Sequence, residues 1–546
     1  MEAQSEYQPL LMDPPTAVGN EEVDRTVFRY AAVGDGGTKR GLQERHLSMI
    51  ALAGMIGTGL FLSSGRALAQ AGPLSCVLGY TVMGTVTAAI AYVSAEMSAF
   101  KPVGGGFVRH AASWLDKSSS VSIGWNFWYS MAITMPAEVT AAATLLEFWA
   151  PGLNPATPIS VLWVAIAIIN FCPVRVYGEF EFYFALLKIT LITGFILAGL
   201  VIDLEVFPGQ GRIGVRYWKN PYPLFREYIA VGTTGRFLGF WSTMISAAFA
   251  YGNVQVVAIA GAETRNPRRS IPKALKRTFV RVIFFYVLSI FVISLLVPAD
   301  DPRLSSSGDG TATTSPFVIA LERTGSKVIP SLVNAVIFTS ALSSGNACTF
   351  LASRTLHGLA LDGHAPQVFL KLNRFQIPYF AVAISVSFGA VAFLSINQGS
   401  SQAFVWLVAL VTTAGLTSWV ILCVTYLRFF HALKKQGISR DRLSYRSPFQ
   451  PYLTYYALVM NVLILLFSGW TSFVGGFDTS SFLSYYLNCL IYLLAYLGCK
   501  LYFRDKLVPL EEMELSPEIA TIKREWLDYD HQQDKSWYDR ILNMLF

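Results

Sequence analysis

Long apolar segments, separated by shorter polar ones, follow one another along most of this chain. A helix that crosses a bilayer needs about 20 mostly apolar residues. The pattern predicts twelve such helices, of which the fourth is the shortest, at approximately 47–70, 73–99, 121–149, 159–171, 179–202, 237–260, 280–297, 329–353, 378–396, 403–430, 452–473 and 482–502. The fold class expected from this pattern is an all-α membrane protein with twelve transmembrane helices.

Composition favours one membrane-embedded unit over several soluble domains. Charged residues make up 14% of the 546 residues and hydrophobic residues 53%, whereas a soluble domain carries about 25% charged residues. The cysteines lack metal-ligand spacing, and no nucleophile elbow, phosphate-binding loop or compact basic and aromatic surface is present. We therefore expect no enzymatic activity, no cofactor or metal, and no nucleic-acid partner.

The placement of Lys and Arg predicts the topology. With a cytosolic N-terminus, most of the 42 basic residues fall in the cytosolic tails and loops, as the positive-inside rule requires. We expect a disordered cytosolic tail at 1–45, a transmembrane domain at 46–504 and a cytosolic tail at 505–546. The basic segment 265–277, between helices six and seven, predicts contact with anionic lipid headgroups.

A glycine-rich segment, Gly54-Met55-Ile56-Gly57-Thr58-Gly59, interrupts the first predicted helix. Three glycines and a threonine within six residues weaken a helix. Unwound backbone at mid-membrane is tolerated only where it lines a cavity or is buried in protein. Its free N–H groups would suit a carboxylate. The alternative is a small-residue face for close helix packing, and the segment alone does not decide between the two.

A second interruption, Phe249-Ala250-Tyr251-Gly252-Asn253-Val254-Gln255, lies in helix six. Unwinding there would expose carbonyl groups able to bind an ammonium group, although Asn253 and Gln255 could instead hydrogen-bond neighbouring helices. Many transporters consist of two repeats of inverted topology. If helices one to five correspond to six to ten, the two interruptions are equivalent and two helices remain at the C-terminus.

The charged residues within predicted helices include Glu96, Glu138, Glu181 and Lys188, and charge at membrane depth is costly and marks function by default. Glu138 lies mid-helix beside small residues that would allow a cavity. Lys188 is a candidate proton carrier, because a buried lysine gives up its proton readily. Glu96 and Glu181 lie near predicted helix ends, where solvation at the interface is the alternative. A structural pairing of Lys188 with Glu181 also stays open.

Taken together, several segments resemble the yeast amino acid transporter family of fungal amino acid permeases, within the amino acid–polyamine–organocation superfamily. The resemblance extends from Arg45 to Arg504 in order and spacing. Its strongest segments are 54–61 and 71–73, 124–129 and 137–142, 178–188, 262–268 and 271–274, 334–335 and 339–346, and 419, 426–429 and 436–437.

This resemblance implies proton-coupled uptake of amino acids by alternating access, in the plasma membrane of a fungus. Residues 56–59 would receive the substrate carboxylate and 249–253 its ammonium group, with Glu138 facing the site. Lys188 matches a lysine that replaces a sodium ion in proton-driven relatives, so it is the expected coupling residue. The implied substrate-binding residues are Ile56, Gly57, Thr58, Gly59, Glu138, Phe249, Tyr251, Asn253 and Gln255.

One position departs from the family pattern. Many relatives carry Gly-Thr-Glu where this chain has Asn253-Val254-Gln255. A neutral side chain therefore replaces a carboxylate, which favours neutral over cationic amino acids. The alternative function is an amino acid sensor on the same fold, which binds but does not transport. Sensors tend to have long cytosolic tails, and the ordinary length of the tails here favours a transporter.

Overall fold

The computed structural model describes residues 55–172, 174–203, 214–257, 267–305, 315–322, 328–398 and 400–530. Within these ranges the chain forms helices, turns and loops without any strand. The predicted N-terminal tail, residues 1–45, lies outside the described residues, as do residues 531–546 of the predicted C-terminal tail.

Helical segments occupy all twelve regions in which the apolar pattern predicts them. Short 3-10 helices at Phe388–Leu394 and Trp470–Phe473 extend the ninth and eleventh regions. In chain order the α-helices are α1 (Thr58–Phe61), α2 (Ser63–Ala71), α3 (Pro73–Phe100), α4 (Phe107–Trp114), α5 (Lys117–Leu146), α6 (Ala156–Asn170), α7 (Val174–Asp203), α8 (Gly232–Ala250), α9 (Pro267–Leu296), α10 (Pro302–Ser305), α11 (Pro316–Glu322), α12 (Val328–Leu361), α13 (Tyr379–Ser387), α14 (Ser395–Gln398), α15 (Ser400–Lys435), α16 (Tyr452–Phe467), α17 (Thr479–Phe503) and α18 (Ser516–Asp530).

Six helical segments within the described ranges are long and apolar enough to cross a membrane. Shorter apolar helices accompany them at Ala156–Asn170, Val282–Leu296 and Tyr379–Leu394. The chain is therefore a multi-pass membrane protein, all-helical in the residues that the structure describes. The six long segments are Pro73–Phe100, Phe180–Asp203, Val328–Leu361, Gln402–Lys435, Tyr452–Phe473 and Thr479–Phe503.

Both interruptions that the sequence predicts are present as breaks in helical geometry. The backbone is non-helical at Ile56 and Gly57, and Gly57 is extended with φ −124° and ψ −159° before α1 begins. Helix α8 ends at Ala250, and residues 251–255 form turns in which Asn253 adopts a φ of +67°. The two breaks are neighbours, because a β-carbon on Gly59 would lie 2.6 Å from the Ala250 Cα.

Helix packing follows pairs that are far apart in sequence. Helix α2 packs against α8, α3 against α9, α5 against α12, and α6 against α13. Helix α5 also packs along α15. Helix α5 thus lies between α12 and α15, and its side chains meet those of both partners.

The segment after α17 lies against the loops and helix ends on one side of the bundle. The Val508 N–H donates to the Leu115 carbonyl at 2.8 Å, and Glu518 in α18 pairs with Arg268 at 2.8 Å. Arg268 is buried and also donates to the Phe100 carbonyl. At this residue the basic segment contacts protein, so the expectation of lipid headgroup contact is wrong for Arg268. Its acidic partner, 250 residues away, was not identifiable from the sequence.

Candidate functional site

A small cavity lies where the two helix breaks meet α5, α12 and α15. Its volume is about 40 Å³, whereas one water needs about 10–15 Å³. Five of the ten predicted site residues line the cavity, and they come from both breaks and from α5: Gly57, Gly59, Glu138, Phe249 and Asn253. The structure therefore brings the two interruptions and the mid-helix glutamate together around one space.

Glu138 contacts the break in helix one directly. Its Oε2 accepts a hydrogen bond from the Thr58 backbone N–H at 3.4 Å, and its Oε1 accepts one from the Ser344 hydroxyl at 3.0 Å. Gly57 is required here, because a β-carbon at this position would lie 2.6 Å from Glu138 Oε1. A carboxylate therefore already lies at the backbone N–H group that the glycine-rich segment was expected to offer to a substrate.

The other predicted residues lie around the cavity without lining it. The Ile56 carbonyl accepts a hydrogen bond from Ser340 at 3.3 Å, and Thr58 contributes its backbone N–H to Glu138. The Tyr251 ring packs 4.9 Å from the Tyr286 ring, and the Tyr286 hydroxyl donates to the Met55 carbonyl at 2.9 Å. Tyr251 thus contacts the break in helix one indirectly, through Tyr286.

Gln255 holds a residue of the cavity wall. Its Oε1 accepts a hydrogen bond from Trp419 Nε1 at 2.8 Å, and Trp419 lines the cavity. Gln255 itself is 1% exposed and outside the lining. At the position where the resemblance led us to expect glutamate in many relatives, a neutral side chain thus contacts the cavity wall through the indole of Trp419.

Lys188 is buried, and two buried carboxylates act on it. Both Glu138 and Glu181 are within electrostatic reach of its ammonium group. Glu181 accepts hydrogen bonds from Ser343 at 2.8 Å and from Asn346 at 3.1 Å. The adjacent residues Ser343 and Ser344 thus donate to the two different carboxylates that act on Lys188.

The interpretation of Glu96 and Glu181 as solvated interfacial residues is wrong, because each is 1% exposed. Glu96 accepts two hydrogen bonds from Arg440, at 3.0 and 2.7 Å. The Tyr426 hydroxyl and the Ser447 N–H donate to it at 3.0 and 2.8 Å. Proximity to a helix end does not reveal these partners, which lie more than 300 residues away in the chain.

Several residues that line the cavity were not predicted from the sequence. Ser130 and Thr134 lie eight and four residues before Glu138 in α5, respectively, and line the cavity with it. Their spacing places all three on one helix face, a signal that was available in the sequence. Ser344 and Thr412 also line the cavity, but serines and threonines are frequent in these apolar helices and give no comparable signal.

Comparison with known proteins identifies the class of transporter. The family model described as amino acid permease matches residues 46–511. The chain belongs to the amino acid permease family. Its relatives are permeases, which transport solutes, so this protein is a membrane transporter of that family and not an enzyme.

Three curated relatives show the range of this family. A lysine-specific permease of Saccharomyces cerevisiae is 35% identical, covering 93% of this chain and 82% of the relative. A proline-specific permease of Emericella nidulans is 36% identical, covering 98% and 100%. A probable proline-specific permease of Schizosaccharomyces pombe is 39% identical, covering 83% of each chain. Permeases for a cationic and for a neutral substrate are therefore about equally similar.

The permease cavity has few charges. Among the described residues that line it, Glu138 is the single ionisable one. The rest of the wall combines hydroxyl groups, such as those of Ser130 and Thr134, with apolar side chains such as Val411 and Leu416. Such a wall can hydrogen-bond a small polar ligand and enclose an uncharged side chain.

Proposed function

We propose that this permease couples the uptake of neutral amino acids to the entry of protons, by alternating access. One observation carries the proposal: the Glu138 carboxylate lies against the Thr58 N–H in the helix break and within electrostatic reach of Lys188. Substrate binding and proton binding therefore involve the same group. Substrate binding at the Thr58 N–H alters the electrostatic environment of Lys188 through Glu138, and a change of charge on Lys188 alters the substrate site in the same way.

The substrate carboxylate binds at the break in helix one. The N–H of Thr58 now faces Glu138, so an incoming carboxylate competes with Glu138 for it. Two carboxylates this close repel each other strongly. Binding of the substrate carboxylate is therefore favoured when Glu138 is protonated and neutral. The charge on Lys188 influences whether Glu138 is protonated. The substrate ammonium group binds carbonyls of the break in helix six, beside Phe249 and Asn253.

The cavity wall supports a preference for neutral substrates. A cationic substrate side chain needs a carboxylate of its own, because Glu138 lies at the helix break that receives the substrate's α-carboxylate. Gln255 is neutral, and its side-chain oxygen accepts the Trp419 hydrogen bond. Similarity alone does not choose, since lysine and proline permeases are comparably related. Proline is the first neutral candidate, since two of these relatives are described as proline-specific.

The proposed architecture has twelve membrane spans, arranged as five plus five inverted repeats and two C-terminal helices. The matched breaks, one directly before α1 and one directly after α8, support the repeat. So does the packing of α2 on α8, α3 on α9, α5 on α12 and α6 on α13, which pairs the helices expected to be equivalent. In this topology both termini, including residues 1–45 and 505–546, are cytosolic, and residues 46–504 lie among the lipids of the plasma membrane.

The test is reconstitution of the full chain into liposomes with an inwardly directed proton gradient. Labelled proline, leucine and lysine are offered at equal concentration, each with and without a protonophore. We expect accumulation of a neutral amino acid that the protonophore abolishes. Accumulation unaffected by the protonophore would contradict proton coupling, and preference for lysine would contradict the neutral assignment. Saturable binding without accumulation of any amino acid would support a sensor instead.

A further inference from the structure

A second, smaller cavity lies beside Asn170, which is connected to Glu181 by buried hydrogen bonds through Asn346. It has a volume of about 10 Å³, close to the 10–15 Å³ that one water needs. Asn170 at the end of α6, Ser353 and Arg354 in α12, and Pro378 before α13 line it. In the proposed topology the C-terminal ends of α6 and α12 face the cytosol. The second cavity is therefore on the cytosolic side of Lys188.

Asn170 connects this cavity to the interior. Its side chain is 6% exposed, and its Nδ2 donates to Asn346 Oδ1 at 2.8 Å. Its Oδ1 is buried without a hydrogen-bond partner among the described residues. A buried polar atom left without a partner is costly. A water in the second cavity would satisfy this oxygen.

The network continues from Asn170 to Glu181 without an apolar gap. Asn346 donates to Glu181 Oε1 at 3.1 Å, and Ser343 donates to Oε2 at 2.8 Å. Next to Ser343, Ser344 donates to Glu138 at the substrate cavity. Of the two carboxylates that act on Lys188, Glu138 therefore lines the substrate cavity, and Glu181 is connected by hydrogen bonds to the second cavity.

We propose that Glu181 carries the proton from Lys188 to the cytosol, along a path separate from that of the amino acid. This inference rests on the proposed proton coupling. The Lys188 ammonium transfers one proton to the Glu181 carboxylate, which leaves a neutral amine and a carboxylic acid. Water that reaches Glu181 from the second cavity then accepts the proton, and the acid becomes a carboxylate again. Asn346 and Asn170 are positioning residues for Glu181 and that water.

Two carboxylates are available to accept the proton of Lys188. Among the described residues, the ionisable groups that act on Lys188 are Glu181 on its own helix, Glu138 from α5 and Cys348 from α12. Glu138 lines the substrate cavity, whereas Glu181 belongs to the hydrogen-bond chain that reaches the second cavity. Glu181 is therefore the acceptor on the cytosolic route.

The experiment compares net uptake with exchange in liposomes that contain the full chain. Glu181→Gln keeps the size and polarity of the side chain but cannot accept a proton. We expect proton-driven accumulation to fall about 100-fold relative to exchange of labelled for unlabelled substrate, since a positioned acid–base group contributes about 10²–10⁴-fold. Exchange requires no proton release. Thr190→Val, which lies on the exposed side of the same helix, is the matched control for changes in α7.

Asn170→Leu tests the exit separately, because it leaves Glu181 able to titrate. We expect net uptake by this variant to lose its dependence on the pH inside the liposome and to keep its dependence on the pH outside. Equal accumulation by wild type and Glu181→Gln would overturn the inference, as would a parallel loss of accumulation and exchange, which indicates a structural role. If the wild type itself ignores the proton gradient, the proposed function fails first.

Discussion

Two buried carboxylates in this permease have very different surroundings. Glu96, at the end of α3, is held by Arg440, Tyr426 and Ser447, including two bonds from one guanidinium. Glu138, mid-way along α5, accepts from Ser344 at 3.0 Å and from the Thr58 N–H at a longer 3.4 Å. Glu96 is saturated with donors and has a direct counter-ion, whereas Glu138 lies beside a cavity with weaker contacts.

The difference distinguishes a carboxylate that stabilises the fold from one that takes part in transport. A carboxylate with a bidentate arginine and further donors is fixed in both geometry and charge. A carboxylate with long contacts beside a cavity can change partners at little cost. We therefore expect changes around Glu96 to affect the amount of folded protein, and changes around Glu138 to affect transport by protein that still folds.

The largest effect is expected for Arg440→Ala. Removing one partner of a buried ion pair leaves an uncompensated charge and costs about 3–5 kcal/mol. The yield of monodisperse protein and its thermal unfolding temperature should both fall sharply. Arg446→Ala is the control, because Arg446 pairs with Asp441 on the exposed surface, where such pairs contribute about 0–1 kcal/mol. Equal effects of the two substitutions would remove the distinction drawn for Glu96.

Lys188→Ala tests the role of Glu138 in transport, because Lys188 is within electrostatic reach of this carboxylate. We expect proton-driven accumulation to be lost, by about 100-fold or more if Lys188 acts as an acid–base group, while some exchange persists. The measurement is uptake against a concentration gradient, compared with exchange in the same liposomes. Undiminished uphill uptake would refute a coupling role for Lys188.

Gly57→Ala places a methyl group between the helix break and Glu138. The new β-carbon would lie 2.6 Å from Glu138 Oε1 and 2.9 Å from Ser344 Oγ. Because the carboxylate is common to all substrates, KM should rise about tenfold for each of them, or about 1.4 kcal/mol. Gly358→Ala is the control, since Gly358 lies in α12 outside the cavity lining and its β-carbon would meet nothing within 4 Å. A substrate-selective defect in Gly57→Ala would place this residue at the side-chain pocket.

The smallest effect is expected for Gln255→Leu. It removes the hydrogen bond to Trp419, and a neutral hydrogen bond contributes about 0.5–1.5 kcal/mol. Substrate selectivity should change a few-fold as the indole loses its position, with little loss of proton coupling. Gln255→Glu is the informative partner, because it introduces a carboxylate at the same position. If lysine uptake does not increase in this variant, Gln255 does not set the charge preference.

The sequence predicted more of the fold than of the site. Apolar runs locate helices well, and the glycines around Gly57 predicted the break, because both signals are local. Glu138 was identified because a charge within an apolar helix is conspicuous. The donors of Glu96 and the link from Gln255 to Trp419 join residues 164 or more positions apart. Such contacts depend on how α3, α8 and α15 pack, which no local pattern encodes.

The most direct test of the account is the current that a neutral amino acid produces in membranes containing the protein, recorded without an imposed voltage. A neutral substrate moving with a proton carries net positive charge inward. We predict an inward current on addition of proline or another neutral substrate that increases as the external pH falls and disappears in Lys188→Ala. Uptake of labelled substrate without current, or current independent of external pH, would contradict proton-coupled transport.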